Sequence, residues 1–341
     1  MNILIVKLSA IGDVIHTLPS LAALRKHYPA AHITWVVEEA AADLIKNHPL
    51  LDCVIVSERK NWGRKLAARR VGEAWRDFHA FYQTLRSRPY DLAIDFHGLF
   101  KSAMVVGLSG AKRKLGYDSL QELSGLFLNE KIPEDMQKHA VDRYLDLPRY
   151  LGAQVDSVDF ILPHDARAEE NALALLHQHG LKDKAFIAIN PVAYWETKLW
   201  DNEKFAALAD MIFEKLNLPV VFTGVDASSI DPIIASMKTS GINFAGKTSL
   251  LELASIYRRA KTLITTDSGP MHLACAVQTP VIALFGPTDP KRTGPYGTGH
   301  TVIRSDLPCS PCLLKKCDTT QCMKNITTKQ VYAEVERRIK V

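Results

Sequence analysis

No uninterrupted apolar run in this chain of 341 residues is long enough to cross a bilayer, so membrane-spanning classes are not expected. The opening Met1-Asn-Ile-Leu-Ile-Val-Lys7 has no basic lead followed by a secretory core and cleavage site, and it reads as a first strand. The expectation is a cytoplasmic protein, with the surface of a membrane still open to it. Several catalytic spacings are also missing. Only Gly12 stands in the loop after that strand, so the G-x-G-x-x-G of nicotinamide dinucleotide enzymes is absent. Neither H-E-x-x-H, H-x-x-E-H nor G-x-S-x-G occurs, which removes the main support for metalloprotease and hydrolase readings. Charge of one sign is scarce as well: 42 Lys and Arg face 37 Asp and Glu, for a net +5. So mild an excess matters only where it is clustered.

It is clustered in one place. Arg59, Lys60, Arg64, Lys65, Arg69 and Arg70 crowd around Trp62, and such a run is either a solvated helix face or a dock for phosphates and anionic head groups. Cysteine is clustered too. Four of the six, Cys309, Cys312, Cys317 and Cys322, fall near the end with spacing C-x2-C-x4-C-x4-C. A cytosolic chain keeps thiols reduced, so metal ligation and plain structural thiols compete, and the paired knuckles of a zinc ribbon are lacking.

The chain alternates apolar, β-branched strands with amphipathic helices. Strands are expected at 2–6, 33–37, 53–56 and 92–96, then at 186–190, 219–223, 242–245, 262–266 and 281–285. Helices are expected at 14–28, 40–47, 103–108, 139–151 and 166–179 in the first part, and from Asp201, Ser249 and 327–339 in the second. This rhythm predicts an α/β fold of two parallel-sheet domains, with a boundary in the region 152–166 and a ligand cleft between them.

The stretch 261–276 is the most informative. A strand runs into Asp267-Ser268-Gly269-Pro270-Met271-His272, where Ser or Asp can cap a helix and Pro fits its first turn. Free N–H groups and the helix dipole there suit a phosphate, and Gly269 permits close approach; an ordinary capped helix is the plainer alternative. Asp13 and Lys198 also fall at predicted strand ends. An acid on one domain facing a cation and a helix start on the other suits transfer with a phosphate leaving group. Asp226 is placed to accept from a ribose hydroxyl or simply to form a turn, and His16, His97 and His272 are candidate ligands or bases.

Four separated stretches, in order, resemble glycosyltransferase family 9, the lipopolysaccharide heptosyltransferases. They are Ser9-Ala-Ile-Gly-Asp13-Val-Ile-His-Thr-Leu-Pro19, Thr197-Lys198-x-Trp200, Asp267-Ser-Gly-Pro-Met-His-Leu273 and Phe285-Gly-Pro-Thr-Asp-Pro290. The resemblance implies a GT-B architecture of two Rossmann-like domains: an acceptor-binding one at 1–160 and a nucleotide-sugar-binding one at 161–326. A last helix at 327–341 would pack back on the first domain. It implies an inverting, metal-independent transfer of L-glycero-D-manno-heptose from ADP-heptose to the Kdo region of lipopolysaccharide, without a cofactor, by a monomer at the cytoplasmic face of the inner membrane that binds no nucleic acid.

By the same resemblance Asp13 is the catalytic base. Lys198 and the backbone from Ser268 through Gly269 and Pro270 to Met271 and His272 cradle the diphosphate, and Asp267 contacts a sugar hydroxyl. Asp226 holds the ribose, and Lys247 and Thr248 lie by the adenine. On the acceptor side it implies Ser9, Gly12, Lys60, Arg64, His97 and Lys101. Trp35-Val-Val-Glu-Glu39 and His97-Gly-Leu-x-Lys101-Ser102 look like the heptosyltransferase that adds the first heptose. The cysteine-rich tail is similar instead to the types that add later heptoses, and Gln121-Glu122 stands where the pattern has Arg-Glu. Two alternatives therefore stay open: a family member acting on another sugar or a later core position, and a binding module with a metal-holding tail.

Overall fold

A computed structural model describes residues 1–118 and 125–340 and divides the chain into two units, 1–164 and 165–341. Gln121 and Glu122 lie outside the described residues. The division falls four residues after the boundary implied by the resemblance.

The first unit contains β1 (Asn2–Val6), α1 (Ile11–His27), β2 (His32–Glu38), β3 (Cys53–Ser57), α2 (Arg59–Ala67), α3 (Val71–Leu85), β4 (Leu92–Asp95), α4 (Phe100–Ser109), β5 (Arg113–Tyr117), β6 (Glu130–Ile132) and α5 (Ala140–Tyr150). Its strands form one parallel sheet in the order β3-β2-β1-β4-β5-β6. The strands that read as continuous apolar runs, β1 and β4, sit in the middle with side chains buried on both faces, as a doubly covered parallel sheet requires.

The second unit contains α6 (Ala166–Gln178), β7 (Ile187–Asn190), α7 (Asn202–Leu216), β8 (Val220–Phe222), α8 (Asp231–Ala235), β9 (Ile242–Asn243), α9 (Leu250–Arg259), β10 (Thr262–Thr266), α10 (Gly269–Ala276), β11 (Val281–Phe285), α11 (Pro290–Thr293), β12 (Thr301–Arg304), α12 (Gln321–Lys324) and α13 (Thr328–Ile339). Its sheet, also parallel, has the order β12-β11-β10-β7-β8-β9. Both units are therefore Rossmann-like.

The two orders carry the functional consequence. In the first unit the chain runs outward from β1 to β2 and β3, then returns to place β4 on the other side of β1. In the second it runs outward from β7 to β8 and β9, then returns to place β10 beside β7. Each sheet thus has a switch point, where the loops at the strands' carboxyl ends diverge and leave a crevice for a ligand. The loops concerned follow β1 and β4 in one unit, and β7 and β10 in the other.

Three expectations need correction. Helix α1 starts at Ile11 rather than at residue 14, so Pro19 lies in the helix interior, where the Ile15 carbonyl loses its usual i+4 N–H partner. The segment expected as a helix at 40–47 is a short 3-10 turn over Glu39–Leu44. Strands β5, β6 and β12 were not expected. Helix α13 adds Val331, Tyr332 and Val335 to the core of the second unit, with Trp200, Phe205, Leu208 and Ile212. Its apolar stripe at i, i+1 and i+4 is covered by α7.

Candidate active site

In the first unit the switch-point loops bring together a chain of polar groups. Asp13 lies in the first turn of α1, where the Ala10 N–H donates to its Oδ2 at 3.1 Å. An acid there complements the helix dipole. Its other oxygen, Oδ1, accepts from the Tyr144 hydroxyl at 3.3 Å. Tyr144 comes from α5, and its oxygen accepts in turn from Lys7 Nζ at 2.6 Å. Lys7, just past β1, also donates to the Phe96 carbonyl at 2.9 Å after β4. The lysine is buried, and burial drives its pKa down against the pull of Asp13 and Asp95. Burial, with the neighbouring Asp13 charge, drives the Tyr144 phenol far up, so Tyr144 stays a proton donor in a fixed place.

A second cluster lies at the carboxyl end of β2. Glu38 is buried, and three cations meet it: Arg59 at 3.1 Å, Lys101 at 3.5 Å and Lys60 at 3.9 Å. Lys101 Nζ also donates to Ser9 Oγ at 2.9 Å. Burial lowers the Lys101 pKa, with Glu38 acting against it. Lys60 and Lys101, expected on the acceptor side, are thus brought together by a carboxylate that had been given no role, and Ser9 joins them through Lys101. Arg64 is not among them; it stands exposed on α2, a helix that buries no residue. Gly12 is buried in the first turn of α1.

His97 opens the turn after β4, which Asp95 holds by accepting from the N–H groups of His97 at 2.8 Å and Gly98 at 3.1 Å. Burial, reinforced by the charges of Lys7 and Lys101, pushes the His97 imidazole down to about 3, so it is neutral at physiological pH. His16 is buried on α1 and meets His139 edge to face at 5.3 Å.

In the second unit the β7 and β10 loops meet. Lys198 Nζ lies 2.6 Å from Asp267 Oδ2, and Thr288 Oγ1 donates to the same oxygen at 2.7 Å. The ammonium also stands over the Trp195 ring at 4.6 Å. Asp267 is 5% exposed, so the ion pair is nearly dry on its acidic side. The expected helix cap is not made. Asp267 is engaged with Lys198, and Ser268 Oγ turns back to the Thr266 carbonyl at 3.3 Å, so α10 starts without a side-chain cap. Pro270 has no N–H, and that of Met271 is taken by the Ser268 carbonyl at 3.1 Å. Among the described residues no acceptor meets the N–H of Ser268 or Gly269. These are the orphan donors that an anion satisfies. His272 is buried within α10.

The remaining donor-side residues follow β8 and β9, the next two strands beyond β7. Asp226 is exposed and spends Oδ1 on Ser228 Oγ at 2.5 Å and the Ser229 N–H at 3.1 Å, hydrogen bonds that hold its carboxyl below the usual range. Lys247 and Thr248 line a hollow with Asn171, Gln178 and Glu252. The two turns are adjacent because the Gly246 N–H reaches the Gly224 carbonyl at 3.1 Å; Gly246 has φ +72°, and a Cβ on it would come within 3.3 Å of the Val225 carbonyl. In the tail all four cysteines are free thiols, with Cys322 buried and the others exposed. Among the described residues no group of three or more His, Cys, Asp or Glu is placed to hold a metal ion.

The sequence profile of glycosyltransferase family 9 (heptosyltransferase) matches residues 78–323. The chain belongs to glycosyltransferase family 9. It is 32% identical over 337 residues to lipopolysaccharide heptosyltransferase 1 of Pseudomonas aeruginosa, covering 93% of this chain and 87% of the relative. It is 30% identical to lipopolysaccharide heptosyltransferase 1 of Escherichia coli K12, covering 89% and 94%. Among solved structures, E. coli heptosyltransferase WaaC with ADP superimposes with a TM-score of 0.81 at 26% identity, covering 99% of this chain and 100% of that one. The fold of this family 9 protein is therefore GT-B, its activity is glycosyl transfer, and the binding-module alternative falls away.

Five residues that the structure places against the expected ones were not singled out by the sequence. Glu38 and Thr288 were inside quoted motifs but had no role, and Lys7 reads from sequence only as the end of a strand. Arg59 was one of six cations in a run, with nothing to single it out. Tyr144 gave no signal, because its position beside Asp13 depends on how α5 packs on α1.

Proposed function

We propose that this protein is the heptosyltransferase that adds the first heptose, moving L-glycero-D-manno-heptose from ADP-heptose to a Kdo hydroxyl of the lipopolysaccharide inner core. The observation that carries the proposal is the division of chemistry between the two switch points. One presents a carboxylate held by fixed donors, and the other presents a cation and two unmet N–H groups. Asp13 takes the proton from the acceptor hydroxyl, whose oxygen bonds to the anomeric carbon as the bond to the diphosphate breaks on the opposite face. The configuration inverts and ADP leaves.

One carboxylate suffices. Glycosidases need a second to protonate the leaving group, whereas ADP leaves as an anion once its charge is met. Lys198 and the N–H groups of Ser268 and Gly269 meet that charge with fixed donors, in place of a metal ion. When diphosphate binds, Lys198 is shared between it and Asp267, and Asp267 is freed toward a sugar hydroxyl. Asp226 takes the ribose, with Lys247 and Thr248 by the base. Ser9, Gly12, Lys60, Arg64, His97 and Lys101 face the anionic acceptor. The enzyme works as a monomer at the cytoplasmic face of the inner membrane, where such an acceptor is found.

Support for the first-heptose assignment comes from relatives named lipopolysaccharide heptosyltransferase 1. A relative named lipopolysaccharide heptosyltransferase 3 is also similar, at 27% identity. An ADP-release assay with ADP-heptose separates the two readings. Turnover on Kdo-lipid A and none on an acceptor already carrying heptose supports the proposal, and the reverse pattern assigns a later step.

A further inference from the structure

The α2–α3 hairpin carries a surface that glycosyl transfer does not use. Helix α2 has no fully buried residue, with Trp62 half-buried against the core, and α3 fully buries only Ala74, Phe81 and Leu85. At the tip where the two helices join, Leu66 is 53% exposed, Val71 60% and Trp75 65%. Val71 and Trp75 are one helical turn apart and share a face, and Leu66 lies in the last turn of α2 at the other side of the connection, its carbonyl accepting from the Arg69 N–H at 3.0 Å. An exposed tryptophan and valine on one helix face, with an exposed leucine across the connection, gather apolar surface of the kind that marks a contact site.

The tip is also stiff and basic. Trp75 lies 5.8 Å from Phe78, which lies 5.7 Å from Trp62, which lies 5.2 Å from the buried Phe81. This ring series ties the exposed indole to the core. Lys65 pairs with Asp77 and Arg70 with Glu73, fixing the turn. Among the described residues no carboxylate lies within ion-pair distance of Arg64, Arg69 or Arg76, and all three are exposed.

We infer that the tip of the α2–α3 hairpin, through Leu66, Val71, Trp75, Arg69 and Arg76, docks the protein on the head-group region of an anionic lipid bilayer. Indole and short aliphatic groups insert at the level where water gives way to acyl chains, and the arginines meet lipid phosphates. A protein partner would need an apolar patch ringed by acid; a bilayer supplies both chemistries continuously. Nucleic acid could stack a base on Trp75 but would leave Leu66 and Val71 in water, whereas acyl chains cover all three. The inference rests on the function proposed above in one respect, that a lipid-borne acceptor gives the dock a purpose. The test therefore reads binding without turnover.

The full chain is sedimented with vesicles of phosphatidylcholine alone and of phosphatidylcholine with phosphatidylglycerol. Wild type is expected to sediment with the anionic vesicles only, and Trp75 fluorescence to be quenched by brominated acyl chains. Trp75→Ser and the pair Arg69→Glu with Arg76→Glu are expected to stay in the supernatant, while Trp75→Phe retains most of the binding. Both weak binders should turn over a lipid-free acceptor at the wild-type rate, which also shows that they are folded. Wild type that ignores anionic vesicles, variants that bind as well as wild type, or retention on oligonucleotide in preference to vesicles would each overturn the inference. Vesicle binding that follows this pattern, with no heptose transfer in the ADP-release assay, would sink the proposed function and leave the dock standing.

Discussion

Tyr144 donates its phenolic proton to Asp13 Oδ1 because Lys7 Nζ, a group that can donate but not accept, sits 2.6 Å from the same phenol oxygen. The lysine thereby sets the direction of the hydrogen bond. A buried lysine thus orients, through Tyr144, the carboxylate proposed as the base.

Replacing Tyr144 with Phe removes that donor and leaves the ring in place. A hydrogen bond to an ionised carboxylate favours the ionised form, so its loss moves the acid limb of the pH–rate profile to higher pH. We expect kcat to fall on the order of tenfold, a loss of about 1.4 kcal/mol in the barrier, with the KM for donor unchanged. An acid limb that stays in place would mean that Tyr144 only packs.

Lys198 and Asp267 should separate binding from stability. Lys198→Met removes a diphosphate partner and strands a nearly buried carboxylate, so ADP affinity is expected to drop roughly tenfold or more, and stability by about 3 kcal/mol. Adding Asp267→Asn restores much of the stability, because the stranded charge is gone, but not the affinity. Calorimetric ADP titrations and urea melts on the two variants check both halves; recovery of affinity in the double variant would show that Lys198 does not hold phosphate.

His97 links folding to pH. Its pKa is depressed from 6.5 to about 3 in the folded protein, so below 6.5 the unfolded chain takes up a proton that the folded one refuses. Its contribution is fully present above the unfolded value and is lost as pH falls toward 3. At about pH 5 the loss is on the order of 2 kcal/mol. His97→Gln, which cannot titrate, should show a flatter fall in urea stability between about pH 7 and pH 5 than wild type. Parallel slopes for the two proteins would mean that His97 reaches solvent in the folded state.

Much of this was legible in the sequence, for physical reasons. Strands buried on both faces are mostly apolar, so β1, β4 and β11 could be read from their runs, and β10, Thr-Leu-Ile-Thr-Thr, from its β-branched residues. The strand-turn-helix at Asp267 was equally plain. Strand β5, Arg113-Lys-Leu-Gly-Tyr117, was hidden because its outer residues face water and a glycine breaks the pattern. Strand β6 is only three residues long. The site was half legible for a related reason: motifs mark residues held by local backbone, such as Asp13 and Asp267. Their partners Tyr144 and Thr288 arrive from 131 and 21 residues away through packing that no local spacing records. The missing helix cap at Ser268 has the same origin, since Asp267 was claimed by the Lys198 loop.

The most direct test of the account is Asp13→Asn assayed in parallel for turnover and for donor binding. Amide replaces carboxylate at nearly the same size, so the site keeps its shape and loses its base. The account predicts that heptose transfer to Kdo-lipid A falls by roughly 10²–10⁴-fold while ADP-heptose affinity by calorimetry stays within about twofold of wild type. Turnover near the wild-type rate, or a loss of donor affinity with the chemical step intact, would contradict it.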